Sequence, residues 1–134
     1  MRVKHALIAD YANVTQDGKL NVMGVFGRIL SPSFPVTHPS LYLVLVFIVD
    51  AAEEGLTREF RIRLVDDEDT ALIDVTGTMQ ATEVIGPSVE VQQILAFQMI
   101  QFPRPGAYSF QIDAHGESLA IVPLGVERPA PLGL

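Results

Sequence analysis

The 134-residue chain contains neither cysteine nor tryptophan. Without thiols it can form no disulfide, offer no thiolate nucleophile and ligate no Cys-bound zinc or iron–sulfur cluster, and a reducing compartment suits it. Positive charge is scarce as well. Nine Lys and Arg against sixteen Asp and Glu leave a formal net charge of −7, and the nine are scattered. The basic footprint of a nucleic-acid binder is therefore missing, and an anionic bilayer would repel the chain, so neither nucleic acid nor membrane is an expected partner. Catalytic signatures are absent too: there is no Gly-x-Ser-x-Gly elbow, phosphate-binding loop or His-Glu-x-x-His pair. The apolar segment Ala6-Leu7-Ile8-Ala9 stops at Asp10, too short for a signal-peptide core. The expectation is a cytoplasmic protein with no catalytic activity and no cofactor.

What the chain does have is apolar strand. Residues 41–49, Leu-Tyr-Leu-Val-Leu-Val-Phe-Ile-Val, run unbroken to Asp50. Nine residues fall well short of the about 20 needed for a membrane helix, and the β-branched and aromatic content reads as a strand. Side chains of a strand alternate between faces. Leu41, Leu43, Leu45, Phe47 and Val49 therefore share one side, and Tyr42, Val44, Val46 and Ile48 share the other. A two-layer sandwich buries one face of each sheet, so the second face needs a cover. The C-terminal tail or the proline loop, a second copy, or a different protein could each supply it.

Elsewhere the pattern is strand and turn. Residues 3–12 form a first strand, Gln16-Asp17-Gly18 a tight turn in which Gly supplies a positive φ, and residues 19–30 a second strand. Gly24 and Gly27 within it suggest a bulge or close backbone approach. Residues 31–40, with Pro32, Pro35 and Pro39, read as a loop crossing between sheets. Further strands are expected at 57–65, 71–79, 91–102, 108–113 and 119–127, the first of these alternating cleanly between apolar and charged residues. No helical periodicity or internal repeat appears. About eight strands at this spacing indicate an all-β, single-domain antiparallel β-sandwich over residues 1–127, with a closed barrel as the alternative. A proline-rich tail follows at 128–134.

Several stretches carry a likeness: Ala9-Asp10-Tyr11-Ala12, then Asp17-Gly18-Lys19-Leu20-Asn21-Val22-Met23-Gly24-Val25-Phe26, Phe34-Pro35, and Pro105-Gly106-Ala107-Tyr108-Ser109-Phe110. Together they resemble a family of short bacterial all-β proteins of unknown function. The likeness spans nearly the whole chain and implies a bacterial single-domain sandwich. It brings no activity or catalytic residue with it.

If successive strands are antiparallel, the turns sort into two ends. One end collects Asp17, Asp50, Glu53, Glu54, Glu83 and the Asp113-to-Glu117 turn; the other collects the proline loop, Asp66 to Asp69, Pro103 to Gly106 and both termini. At ~3.3 Å per residue the strand Thr57–Val65 holds the two acidic groups roughly 30 Å apart. Carboxylates from several loops are what hard cations take, which makes Asp50, Glu53, Asp113 and Glu117 the metal candidates. None of these loops has the Asp-x-Asp-x-Asp-Gly spacing, and solvated turns are the plainer reading, for Asp66 to Asp69 above all. His5, His38 and His115 are far apart in sequence, and surface or structural roles suit them. Asp10 reads as a carboxylate accepting backbone hydrogen bonds at a sheet edge. Gln92, Gln93, Gln98 and Gln101 could line a sugar-binding face, although Tyr11, Tyr42 and Tyr108 are few stacking platforms.

The functional expectation follows from the doubly apolar strands. It is a non-enzymatic interaction or assembly module that associates with itself or another protein through an apolar sheet face made of Tyr42, Val44, Val46, Ile48, Val22 and Phe26. The alternative is a small-ligand or cation-binding domain using the turns around Asp50, Glu53, Asp113 and His115.

Overall fold

The computed structural model describes residues 1–131 and is all-β. Its strands are β1 (Arg2–Val14), β2 (Leu20–Val25), β3 (Arg28–Leu30), β4 (Val36–Asp50), β5 (Thr57–Val65), β6 (Ala71–Gln80), β7 (Ser88–Phe102), β8 (Gly106–Ala114) and β9 (Glu117–Glu127). A 3-10 turn at Ala51–Glu53 joins β4 to β5. They form two sheets, ordered β2-β1-β4-β7 and β3-β9-β8-β5-β6. The sheets pack face to face, and one of them curls into a half-barrel. Beyond β9, Arg128 to Pro131 are exposed; the last three residues of the proline-rich tail lie outside the described residues.

The sandwich stands, with three differences from the sequence reading. First, the strand expected over 19–30 divides at Phe26-Gly27. Its first half pairs with β1 and its second half runs parallel to β9, the one parallel pair among the described residues. The crossing between sheets therefore happens here, where the Gly27 carbonyl accepts a hydrogen bond from Gly125 N at 2.9 Å. Second, Val36 to Ser40 belong to β4 rather than to a loop, in register with β7 through His38 opposite Ile100 and Ser40 opposite Gln98. Strand β1 leaves β4 after Ala9 opposite Tyr42, so Pro39 sits on a locally open edge, where a missing N–H is tolerated. Third, the N-terminus lies at the first end, not the second: its ammonium donates to Glu53 Oε1 at 2.8 Å. The reversal within β1, which pairs with β4 only as far as Ala9 before the hairpin turns back, upsets the simple alternation of ends.

The core is the odd face of β4 against the second sheet. Leu41, Leu43, Leu45, Phe47 and Val49 meet Phe60, Ile62, Leu64, Phe110, Ile112, Leu124 and Val126, all buried. Each large side chain so buried contributes about 1.5–3 kcal/mol. The Phe47 and Phe60 rings lie 5.3 Å apart. Gly77 faces Phe60 across the β5–β6 ladder, and a Cβ there would stand 2.5 Å from Phe60 Cζ. The glycine is what lets the ring lie flat on the backbone.

The even face of β4 is covered by the chain itself. Val44 is 0% and Val46 2% exposed, although neither belongs to the core between the sheets. The cover is the β1–β2 hairpin. Gly18, at its tip, accepts a hydrogen bond from Gln92 Nε2 at 3.3 Å, and Gln92 is opposite Val46 on β7. A hairpin continuing straight past Ala9 would carry Gly18 roughly 30 Å beyond that level at ~3.3 Å per residue. It therefore turns back across the sheet, setting the Tyr11 ring edge-on to Tyr42 at 5.2 Å. The turn-back occurs where Asp10 faces Gly24. Gly24 has φ +68°, a backbone conformation that favours glycine, and a Cβ on it would have to push aside the Asp10 carboxylate, whose Oδ2 would stand 2.5 Å away.

Candidate functional site

The residues expected to form an open apolar interface divide three ways. Val44 and Val46 are buried under the hairpin, so the face expected to await a partner is not open at those two positions; backbone that the sequence reading assigned to a flat strand pair folds onto them. Tyr42, Ile48, Val22 and Phe26 are half-buried at the margins of that second layer or beside the main core. What the hairpin exposes instead is its other surface. Met23 faces Tyr11 and Val25 faces Ala9 in the β1–β2 register. Met23 is 61% and Val25 59% exposed, and Tyr11 is 44% exposed although its ring touches Tyr42. Gly24 in the middle of a strand was the sequence signal for this fold-back, and it marked an irregularity without giving its direction.

The acidic turns are already occupied by partners from the same chain. Glu53 accepts from the N-terminal ammonium, from Asp50 N at 3.3 Å and from Arg58 Nη2 at 3.5 Å. The ammonium contact, against the opposing effect of burial, holds its carboxyl below the usual carboxylate range. Asp50 lies 3.6 Å from Arg2, and Glu54 accepts from Val84 N at 2.8 Å. Asp113 sits on the second sheet facing Arg63 at 3.8 Å, while His115 and Glu117 are exposed in the β8–β9 turn. Asp50 and Glu53 thus belong to one neighbourhood and Asp113 and Glu117 to another. Among the described residues no three His, Asp or Glu side chains come together as metal ligands.

At the opposite end the Asp66-to-Asp69 turn and the Pro103-to-Gly106 turn do meet, as the sorting of turns expected. Arg104 Nη2 lies 3.1 Å from Asp66, 3.2 Å from Asp67 and 3.9 Å from Glu68. Asp66 is not a freely solvated acid: its side chain is only 7% exposed, and its Oδ1 accepts from Thr70 N at 2.8 Å and Glu68 N at 2.9 Å. The Thr70 amide is the main reason its carboxyl titrates low.

The outer face of the second sheet carries a cavity of about 590 Å³ lined by Glu59, Arg61, Thr76, Asp113, His115 and Ser118. Its arginine is taken: Arg61 donates from Nε and Nη2 to the two Asp74 oxygens at 2.8 and 2.5 Å, which raises the guanidinium's pKa and lowers that of Asp74. His5, His38 and His115 lie on β1, β4 and the β8–β9 turn and are not assembled into one site. His38 is half-buried beside Phe26, ring centroids 5.8 Å apart, with a buried Nε2 that has no partner. Asp10 is exposed over Gly24 rather than buried among sheet-edge amides. The glutamines of β7 alternate: Gln92 and Gln98 lie on the side of Val46, Gln93 on the side of Leu45, so they do not make one sugar-binding face.

Comparison with known families matches residues 4–127 to a family model. The chain belongs to DUF6941, a family of unknown function. No curated protein matches the chain. Among the described residues no helix is long and apolar enough to cross a membrane, a statement that does not bear on strands. The DUF6941 match covers the sandwich from β1 to the end of β9 and brings no catalytic or binding residue with it.

Proposed function

We propose that this DUF6941 protein is a non-enzymatic interaction module of the bacterial cytoplasm that recognises another polypeptide, a second copy of itself or a different protein, through apolar surface. The observation that carries this reading is the hairpin. The same β1–β2 ribbon that seals Val44 and Val46 leaves Met23 and Val25 exposed, with Tyr11, opposite Met23, reaching the surface from its contact with Tyr42 at the margin. Clustered exposed apolar side chains of this size mark interaction surfaces more often than chance exposure. The bacterial setting rests on the resemblance in sequence, and the cytoplasmic one on the lack of cysteine.

The cation-binding alternative draws no comparable support, because Glu53, Asp50, Asp113 and Asp66 direct oxygens at the chain's own ammonium, guanidinium and amide groups. The test is photo-crosslinking from Met23 in cells that make the protein. Discrete adducts of defined mass, suppressed by Val25→Lys, are expected. Uniform absence of adducts from Met23 and Tyr11 alike would overturn the reading.

A further inference from the structure

Strand β7 forms one edge of the first sheet and pairs with β4 along its whole length, from Val36 opposite Phe102 to Asp50 opposite Ser88. Its other side presents unpaired backbone N–H and C=O groups, a template for a further strand. Natural edges are usually defended by shortness, charge, proline or bulges. The other edges here follow that rule. Strand β2 has six residues and bends at Gly24, β3 has three, and β6 carries Asp74 locked to Arg61 and a glycine at position 77. Strand β7 does not: it has 15 residues, and from Val91 to Phe102 it contains no charge, proline or glycine. Its single charged side chain, Glu90, is paired with Lys4, and its one backbone irregularity is Met99, at φ 54°.

Beside this edge the two sheets part. Leu72 and Ile73 of β6 stand across a cavity of about 360 Å³ from Phe97, Met99 and Ile100, and Met99 is 69% exposed. The occupant is argued from charge and symmetry. A chain of net charge −7 repels its copies over most of its surface, and β7 is the long edge along which two copies can approach without opposing carboxylates. Antiparallel pairing of an edge with itself is also self-complementary, since each strand supplies the donors and acceptors the other lacks about a twofold axis. We infer that the protein forms a twofold dimer in which β7 pairs antiparallel with β7 of a second copy, joining two four-stranded sheets into one continuous sheet.

This rests on the reading of the protein as an interaction module and names both the partner and the surface. Light scattering on the purified chain should give twice 14.6 kDa. The variant Ala96→Lys/Gln98→Lys, at two exposed positions of β7, should give 14.6 kDa at the same concentration and still unfold cooperatively, with a melting midpoint that no longer depends on protein concentration, because like charges then face one another across the ladder. Met23→Lys should remain a dimer. A wild-type chain monomeric up to its solubility limit overturns the inference, as does a dimer that survives both lysines. Hydrogen exchange on the wild-type chain guards against a variant that fails to fold: protection of residues 91–98 should rise with protein concentration, and concentration-independent exchange overturns the pairing. A monomer that still crosslinks from Met23 to a different polypeptide sinks the dimer and leaves the interaction reading intact. A β7-dependent dimer with no adduct from Met23 does the reverse for the hairpin surface.

Discussion

The two faces of β4 carry nearly the same kinds of side chain and meet different fates. Phe47 and its odd-numbered neighbours from Leu41 to Val49 are pressed against a five-stranded sheet and are buried. On the even face only the centre, Val44 and Val46, is sealed, while Tyr42 and Ile48 at either side remain half-buried. The difference lies in what covers each face. A sheet is wide enough to bury a strand from end to end, whereas a two-stranded ribbon covers a patch and keeps an apolar surface of its own on the far side. Thus the hairpin shields apolar area on β4 while moving some of the exposure outward, to Met23 and Val25.

This contrast can be broken at its strong side first. Phe47→Ala removes a ring packed on Phe60 and should cost about 3–5 kcal/mol in urea unfolding. Val46→Ala deletes two buried methyl groups beneath the hairpin and should cost about 1–2 kcal/mol, the thinner cover collapsing more readily around the gap. Equal costs for the two, despite the much smaller deletion at Val46, would mean that the hairpin side is the more tightly packed and contradict the contrast.

The smallest effect is on pH dependence. The folded Glu53 carboxyl titrates below its ordinary range, principally through the N-terminal ammonium. A carboxyl depressed on folding stabilises the native state while ionised; that contribution is complete above the unfolded pKa and disappears as pH falls through the folded one. Wild-type stability should therefore decline on acidification below the ordinary carboxylate range, and Glu53→Gln should flatten part of that decline, measured as urea midpoints at descending pH. An unchanged acid profile would remove the pair from the account.

Much of the sandwich was legible because alternation reports burial directly. Phe60, Ile62 and Leu64 against Glu59, Arg61 and Arg63 place β5 with one face in the core, and the odd residues of 41–49 are the core side of β4. Three features were not fully legible, each for a physical reason. At Phe26-Gly27 the glycine signalled a bulge or close approach but not a change of sheet, since both halves carry apolar residues and only tertiary hydrogen bonding separates them. Pro39 reads as a loop by local rules, and its place in β4 depends on β1 having already departed. For the Arg104 cluster the shared end was legible from the sorting of turns, but not the pairing of Arg104 with acids 36 to 38 positions away, which depends on how the two turns pack.

The hairpin over the even face is the most consequential of the long-range features. The need for a cover was visible in Tyr42, Val44, Val46 and Ile48, but the chain's own residues 10–24 were not among the covers considered, because a register that pairs Ala12 with Val22 says nothing about where the ribbon as a whole points. In a chain without native cysteine, spin labels on single cysteines at Lys19 and Glu90, both exposed, measure that direction. With the hairpin folded onto the sheet, the two labels lie close together above Val46. A separation of roughly 30 Å or more, the value for a ribbon continuing straight from Ala9 at ~3.3 Å per residue, would contradict the account.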